Sequence, residues 1–252
     1  MTLQGKAALV TGGASGIGLA TVERLARMGC TVALNHLPDD PAGLAQISRL
    51  SAEGLSVIAA PGDVSDRESV PVMVEAAIHR LGRLDILVNN AGTPATRVPI
   101  PPVELDAMTD EFWERIIATN LLGPFRCTRA AASALKAAKG AVVSTASIAG
   151  FTSLGSSIAY GASKAALINL TVNLARALGP HCRVNAVAPG SVDTPWQRDW
   201  PEARKHAAAE KALLKRRCTA EGIAEAIVWL STTTAPITGQ TLVVDAGLTL
   251  AP

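Results

Sequence analysis

The sequence predicts a doubly wound α/β fold, a parallel sheet with helices on both faces, and three observations predict it. Short apolar or β-branched runs alternate along the chain with patterns of helical period. Strands separated by helices pair in parallel through right-handed crossovers. Hydrophobic residues make up 48% of the 252 residues and charged ones 17%. That is enough apolar surface to offset the entropy of ordering, and it excludes a disordered chain. Aromatic residues are only 3%, so Ala, Val, Leu and Ile must fill the core, as they do in strands buried on both faces. There is a single tyrosine, Tyr160.

The first strand, Ala7–Val10, runs into Thr11-Gly12-Gly13-Ala14-Ser15-Gly16-Ile17-Gly18 and then a helix. The second, Thr31–Leu34, ends at Asn35-His36, and the third, Val57–Ala60, precedes Gly62-Asp63-Val64. Val70, Met73, Val74, Ala77, Ile78 and Leu81 recur at spacings of three and four, which predicts a helix over 70–81. The fourth strand, Ile86–Val88, opens onto Asn89-Asn90-Ala91-Gly92. Pro94 to Pro102 holds four prolines and reads as a rigid loop.

The fifth strand, Ala141–Val143, lies in the longest uncharged stretch, Gly140 to Ser163. With four glycines and six serines, that stretch is a loop between buried elements and not a membrane span, because its polar atoms would go unsatisfied in lipid. A helix starting near Tyr160 carries Leu167, Leu170, Leu174 and Leu178 on one stripe and stops at Gly179-Pro180. Val184–Val187 and Leu242–Val244 supply the remaining strands. No composition break, repeat or linker divides the chain, so residues 1–252 are expected to form one domain.

Several functions find no support. Lys and Arg number 23 against 21 Asp and Glu, with no basic block, so neither a nucleic acid nor a membrane surface is an expected partner. Cys30, Cys127, Cys182 and Cys218 are scattered, which suits a reducing cytoplasm and neither a disulfide framework nor a zinc site. No secretory-signal pattern is read at the N-terminus. His36, His79, His181 and His206 lack metal-ligand spacing, so no metal is expected. There is no Gly-x-Ser-x-Gly elbow for serine hydrolysis.

The glycine-rich turn between strand and helix is suited to a dinucleotide. Glycines let the backbone approach a pyrophosphate, whose charge is stabilised by helix N-terminal amides. A nucleoside-triphosphate loop would need Lys and then Ser or Thr after Gly18; Leu19 and Ala20 stand there instead. The acidic residue that would bond the adenosine ribose about 20 residues on is replaced by His36, with Asp39 and Asp40 a little late. A 2′-phosphate is then not repelled, though no nearby Arg attracts it. With Ser15 and His36 as donors, the balance leans to NADP over NAD. Tyr160 and Lys164 stand four apart on one helix face, where an ammonium lowers a phenol's pKa toward use in proton transfer. Ser147, after the fifth strand, is placed to donate to a substrate oxygen.

Together, Thr11 to Gly18, Asn89-Asn90-Ala91-Gly92, Asn120, Ser147, Tyr160-x-x-x-Lys164 and Pro189-Gly190 resemble the short-chain dehydrogenase/reductase family, and the likeness continues to Thr238-Gly239-Gln240 and Val244-Asp245. The resemblance implies a Rossmann fold with a seven-stranded parallel sheet and NAD(P)-dependent interconversion of a carbonyl and an alcohol. It makes Tyr160 the general acid/base and Ser147 the group that orients and polarises the carbonyl. By the same resemblance, Lys164 lowers the Tyr160 pKa and holds the nicotinamide ribose, and Asn120 anchors a water relaying protons to Lys164. Cofactor contacts are implied at Gly12, Ser15, Gly16, Ile17, Gly18 and His36; at Asp63 with Val64 for the adenine; and at Asn89, Ala91 and Gly92 on the adenosine side. Others are implied at Pro189, Gly190, Val192 and Thr194, the last toward the carboxamide. Ala246 replaces the usual glycine after Val-Asp, with an effect expected only on packing.

Substrate choice is expected to reside in Thr93 to Pro102 and in a lid at about 193–217, where basic residues outnumber acidic ones and Trp196 and Trp200 either cap an apolar substrate or anchor the lid. The substrate is a small carbonyl or alcohol; a 3-oxoacyl carrier-protein thioester is the specific alternative, and a nucleotide-binding regulatory subunit without turnover is the alternative from another class. The family resemblance suggests a homotetramer.

Overall fold

The computed structural model describes residues 2–251. Seven strands, β1 (Ala7–Val10), β2 (Thr31–His36), β3 (Val57–Pro61), β4 (Ile86–Asn89), β5 (Ala141–Thr145), β6 (Arg183–Pro189) and β9 (Thr241–Val244), form one parallel sheet in the order β3-β2-β1-β4-β5-β6-β9. Two short strands, β7 (Val192–Asp193) and β8 (Cys218–Thr219), pair apart from it. The helices are α1 (Gly16–Arg27), α2 (Pro41–Ala52), α3 (Ser69–Leu81), α4 (Asp110–Ile117), α5 (Gly123–Ala138), α6 (Ile158–Leu178), α7 (Glu202–Lys211) and α8 (Ala220–Thr232). Strand order reverses between β1 and β4, and in such sheets the crevice beyond the strands' carboxyl ends at that point is where ligands bind.

The sheet's two faces carry two separate cores. Val10, Val32, Leu34, Val88, Ile223 and Ile227 belong to one, and Leu9, Leu87, Val142, Val74, Leu135 and Val184 to the other, so successive strand residues point to opposite sides. In α3, Val70, Met73, Val74 and Ala77 are buried as the spacing predicts, and the helix stops at Gly82 with φ of 73°. In α6, Leu167, Leu174 and Leu178 are buried and Leu170 packs beside them.

Strands β2 and β5 run beyond their apolar stretches, because their polar ends find partners. Asn35 extends β2, accepting from the Gly12 amide at 3.0 Å and donating to the Ala60 and Gly62 carbonyls at 3.0 and 2.9 Å. Its side chain therefore straps the glycine turn to β3. Ser144 and Thr145 extend β5 in register with Ala186 and Val187 of β6. The stretch 140–163 is accordingly more structured than a loop: β5 occupies its start and α6 its end, leaving an irregular segment and one 3₁₀ turn between. Ala246 adopts φ of 57°, so the residue that departs from glycine there occupies a left-handed backbone, a cost of about 1–2 kcal/mol and not a packing effect alone.

Candidate active site

The glycine turn is shaped by two contacts. Gly12 has φ of 61°, and a Cβ there would lie 2.9 Å from the Ala91 Cα. A Cβ at Gly18 would strike the Gly12 carbonyl. Gly12 is needed where the turns after β1 and β4 approach backbone to backbone, and Gly18 where the start of α1 packs on the Gly12 carbonyl and the Asn90 side chain. Thr11 joins them, its hydroxyl accepting from the Asn90 and Ala91 amides at 3.0 Å each, while Asn90 Nδ2 donates to the Thr11 and Gly12 carbonyls at 3.1 Å.

Beyond these turns lies a cavity of about 630 Å³. Gly12, Ser15, Gly16, Ile17, Ala91 and Gly92 form part of its wall; Ser147, Tyr160, Lys164, Pro189, Gly190, Val192 and Thr194 form more of it. The arrangement fits a dinucleotide. Ser15 is the N-cap of α1 but makes no side-chain capping bond, and no acid occupies the first turn, so the first amides and the Ser15 hydroxyl remain for an anionic ligand.

Five other expected cofactor residues stand off the cavity wall. Gly18 is taken up in the turn's close packing. Asp63 Oδ1 accepts from the Ser65 amide and hydroxyl at 2.8 Å each, and Val64 is buried in the core. The Asn89 side chain turns away to donate to Thr128 at 3.0 Å; its neighbour Asn90 lines the cavity instead. His36 is 4% exposed, its Nδ1 is 2.8 Å from the Leu37 carbonyl, and Gly43 lies against its ring. The ring is thus enclosed beneath the surface. Its Nε2 has no hydrogen-bond partner.

Tyr160 and Lys164 share one face of α6, whose first turn is fixed by Ser157 accepting from the Tyr160 amide at 3.1 Å. Lys164 is 3% exposed; its Nζ donates to the Thr145 carbonyl at 2.7 Å and lies 5.7 Å from the Tyr160 ring centre. Tyr160 is half-buried, with one side of its ring facing the cavity and the Trp196 ring 5.8 Å away. Burial pushes the phenol up to about 12, against a hydrogen bond from Ser147 that lowers it. Burial also pushes the Lys164 ammonium down to about 8. Removal from water is thus the larger influence on this phenol, with Ser147 acting in the opposite direction.

Asn120 is fully buried behind this group, in a single π-helical turn, Ala118–Leu122, between α4 and α5. Such turns often occur at functional sites. Its Oδ1 accepts from the Thr93 amide at 2.8 Å, and its Nδ2 donates to the Thr93 carbonyl at 3.0 Å and the Ser163 hydroxyl at 3.1 Å. It thus ties the proline-bearing loop to the helix that carries Tyr160.

Ser191 and Gln197, which the sequence did not single out, also line the cavity, and Arg217 holds both. Arg217 donates to Ser191 Oγ at 3.1 Å, to the Val192 carbonyl at 2.8 Å and to Gln197 Oε1 at 2.6 Å, fastening the start of the 193–217 segment. Trp196 and Trp200 both line the cavity. Among the described residues, no cluster of His, Cys, Asp or Glu is arranged to hold a metal, and no helix is long and apolar enough to cross a membrane.

A family model described as enoyl-(acyl carrier protein) reductase matches residues 12–249. The 3-oxoacyl-acyl-carrier-protein reductase of Thermotoga maritima is 36% identical over 255 residues, covering 99% of this chain and all of that one. A short-chain dehydrogenase from Burkholderia cenocepacia, solved in complex with NADP, superposes with a TM-score of 0.88 at 34% identity, covering 99% of this chain and 100% of its own. The NADPH-dependent 3-quinuclidinone reductase of Rhodotorula rubra gives a TM-score of 0.89 at 30% identity, covering 99% of this chain and 93% of its own.

Proposed function

This chain belongs to the short-chain dehydrogenase/reductase family, and from that premise we propose how its residues carry out the reaction. It is an NAD(P)-dependent oxidoreductase that interconverts a carbonyl and an alcohol. The bound dinucleotide supplies or accepts the hydride. The observation that carries the assignment of roles is the cavity that brings Ser147, Tyr160 and Lys164 to one wall beside the glycine turn. Tyr160, a neutral phenol at pH 7, donates its proton to the substrate oxygen during reduction. Ser147 hydrogen-bonds the same oxygen and orients it. Lys164 holds the ribose and, through its charge, stabilises the phenolate left behind. Asn120, its side chain tied to Thr93 and Ser163, anchors the water that relays protons to Lys164.

We read residues 1–252 as one domain with the 193–217 segment as its lid, a reading supported by the sheet that spans the chain from β1 to β9 and by the cavity under α7. The preferred cofactor is NADP. In support, no carboxylate stands at position 36, and the Ser15 hydroxyl lines the cavity without a capping bond. Measured with one ketone, kcat/KM is expected to be at least about tenfold higher with NADPH than with NADH, the effect of about one favourable charged hydrogen bond; a preference for NADH would reject this cofactor choice.

The substrate is a small ketone or secondary alcohol, with a 3-oxoacyl carrier-protein thioester, the substrate named for the Thermotoga relative, as the alternative. A cytoplasmic setting is supported by four free cysteines. A homotetramer is supported by exposed Leu242 and Val243 on edge strand β9, Trp229 on α8, and Phe125 and Val172 on α5 and α6, apolar surface of the kind subunits cover. Light scattering of the purified chain should give the four-chain mass, and a monomer at assay concentration would contradict it.

A further inference from the structure

The roles above use one end of the cavity. The other end lies under α7 and is walled by Leu154, Gly155, Ser156, Trp200, Arg204 and Lys211. Among the described residues, no aspartate or glutamate lines the cavity anywhere, whereas Lys164, Arg204, Lys205 and Lys211 do. Two of these cations have protein partners: Lys205 pairs with Glu202 at 2.6 Å, and Lys164 donates to Thr145. Neither Arg204 nor Lys211 has a described carboxylate within ion-pair distance.

Arg204 is held in place without being neutralised. Its guanidinium stacks 4.8 Å from the Trp200 ring centre, and Nη2 donates to the Gly155 carbonyl at 2.8 Å. A planar fork so fixed keeps donors free and loses little freedom when it binds a carboxylate. Two buried polar atoms nearby have no hydrogen-bond partner, the Ser156 hydroxyl, in a residue 1% exposed, and Trp200 Nε1. Such orphaned donors destabilise a protein unless a bound group satisfies them. Both are covered in the present arrangement. However, α7 buries none of its own side chains, so it can settle differently on a ligand without dismantling a core.

We propose that Arg204, with Ser156 and Trp200, forms a carboxylate subsite, and that the substrate is a ketone or alcohol bearing a free carboxylate a few carbon atoms from the reacting carbon. The spacing favours a short molecule. A Cβ on Gly155 would lie 3.5 Å from Tyr160 Cδ1, and the carbonyl of that same glycine holds Arg204. Gly155 thus borders both the guanidinium and the Tyr160 ring. The phosphate of a pantetheine arm sits more than a dozen bonds from its thioester, too far to occupy both places. The reacting carbon in this proposal rests on the oxidoreductase reading; the anion site does not.

The test has a kinetic and a binding arm. 3-Oxobutanoate, 4-oxopentanoate and 4-oxocyclohexanecarboxylate are each compared with their methyl esters and with acetoacetyl-coenzyme A, in the wild type and in Arg204→Met. At least one acid should be reduced with kcat/KM ten- to a hundredfold above its ester, and Arg204→Met should lower the acid at least tenfold more than the ester. Separately, cyclohexanecarboxylate is titrated calorimetrically into the dinucleotide-saturated protein, where Arg204→Met should weaken binding at least tenfold and Ser156→Ala by less.

Equal loss for acid and ester overturns the subsite, as does Arg204-dependent turnover of the coenzyme A thioester alone. Carboxylate binding that is the same in wild type and Arg204→Met also overturns it. If the carboxylate binds through Arg204 but no ketone is turned over, the subsite stands and the oxidoreductase reading fails.

Discussion

Tyr160→Phe is expected to fold, to bind its dinucleotide and to reduce ketones on the order of 10² to 10⁴ times more slowly than the wild type, the span over which a positioned acid/base group acts. The substitution removes one oxygen and leaves the ring, so the contact with Trp196 at 5.8 Å between ring centres survives. Stability should change by no more than about 1 kcal/mol, because the lost hydroxyl is engaged only by Ser147. No other phenol exists in the chain to take over the proton. Kinetics of the purified variant at saturating cofactor measure this directly, and turnover within tenfold of the wild type would mean that another group donates the proton.

The second large effect separates activity from stability. Lys164→Met should lower turnover on the order of 10²-fold, as removal of a charge that stabilises a developing anion does, and yet raise the melting temperature by a few degrees. Burial holds the Lys164 ammonium down to about 8, so at pH 7 the protein carries this charge at a cost. At about 1.4 kcal/mol per pKa unit the cost is roughly 3 kcal/mol, offset in part by about 1 kcal/mol when the Thr145 carbonyl loses its donor.

The pH dependence follows with a definite sign. Between about 8 and the ordinary lysine value the unfolded chain binds the extra proton, so this residue's contribution to stability rises with pH across that window. The advantage of Met should therefore be full at pH 7, fade as pH rises past about 8 and be mostly gone by about pH 10. Wild-type reduction should decline above about pH 8, as Lys164 loses its proton. Thermal melts of both proteins from pH 7 to 10 check the stability claim, and a lower melting temperature for Lys164→Met at pH 7 would refute it.

Much of this site is legible in the sequence, where the chemistry depends on local spacing. The glycine turn follows a strand and opens a helix, and Tyr160 and Lys164 stand one helical turn apart; neither inference needs the tertiary fold. What escapes depends on packing at a distance. Asn35 looks like the polar end of a strand, yet its amide bonds to β3 and to the glycine turn. Asn89 and Asn90 are adjacent and chemically alike, and only the pleat decides that the first faces Thr128 and the second the cavity. The π turn around Asn120 breaks the helical period without leaving a compositional mark. α7 buries no residue, so it shows no apolar stripe to find. The Tyr160 pKa escapes for a related reason: sequence places a cation beside the phenol but is silent on how far both are removed from water.

Having a single tyrosine makes the state of the reacting phenol observable. Phenolate absorbance, followed as the folded protein is titrated with base, reports Tyr160 alone. If burial keeps this residue protonated so that it can act as the acid, absorbance should stay flat through pH 10, where an ordinary tyrosine is about half ionised, in keeping with a phenol pushed up to about 12. Half-ionisation at or below about pH 9 in the folded protein would show that Lys164 governs the phenol after all, and would contradict the account.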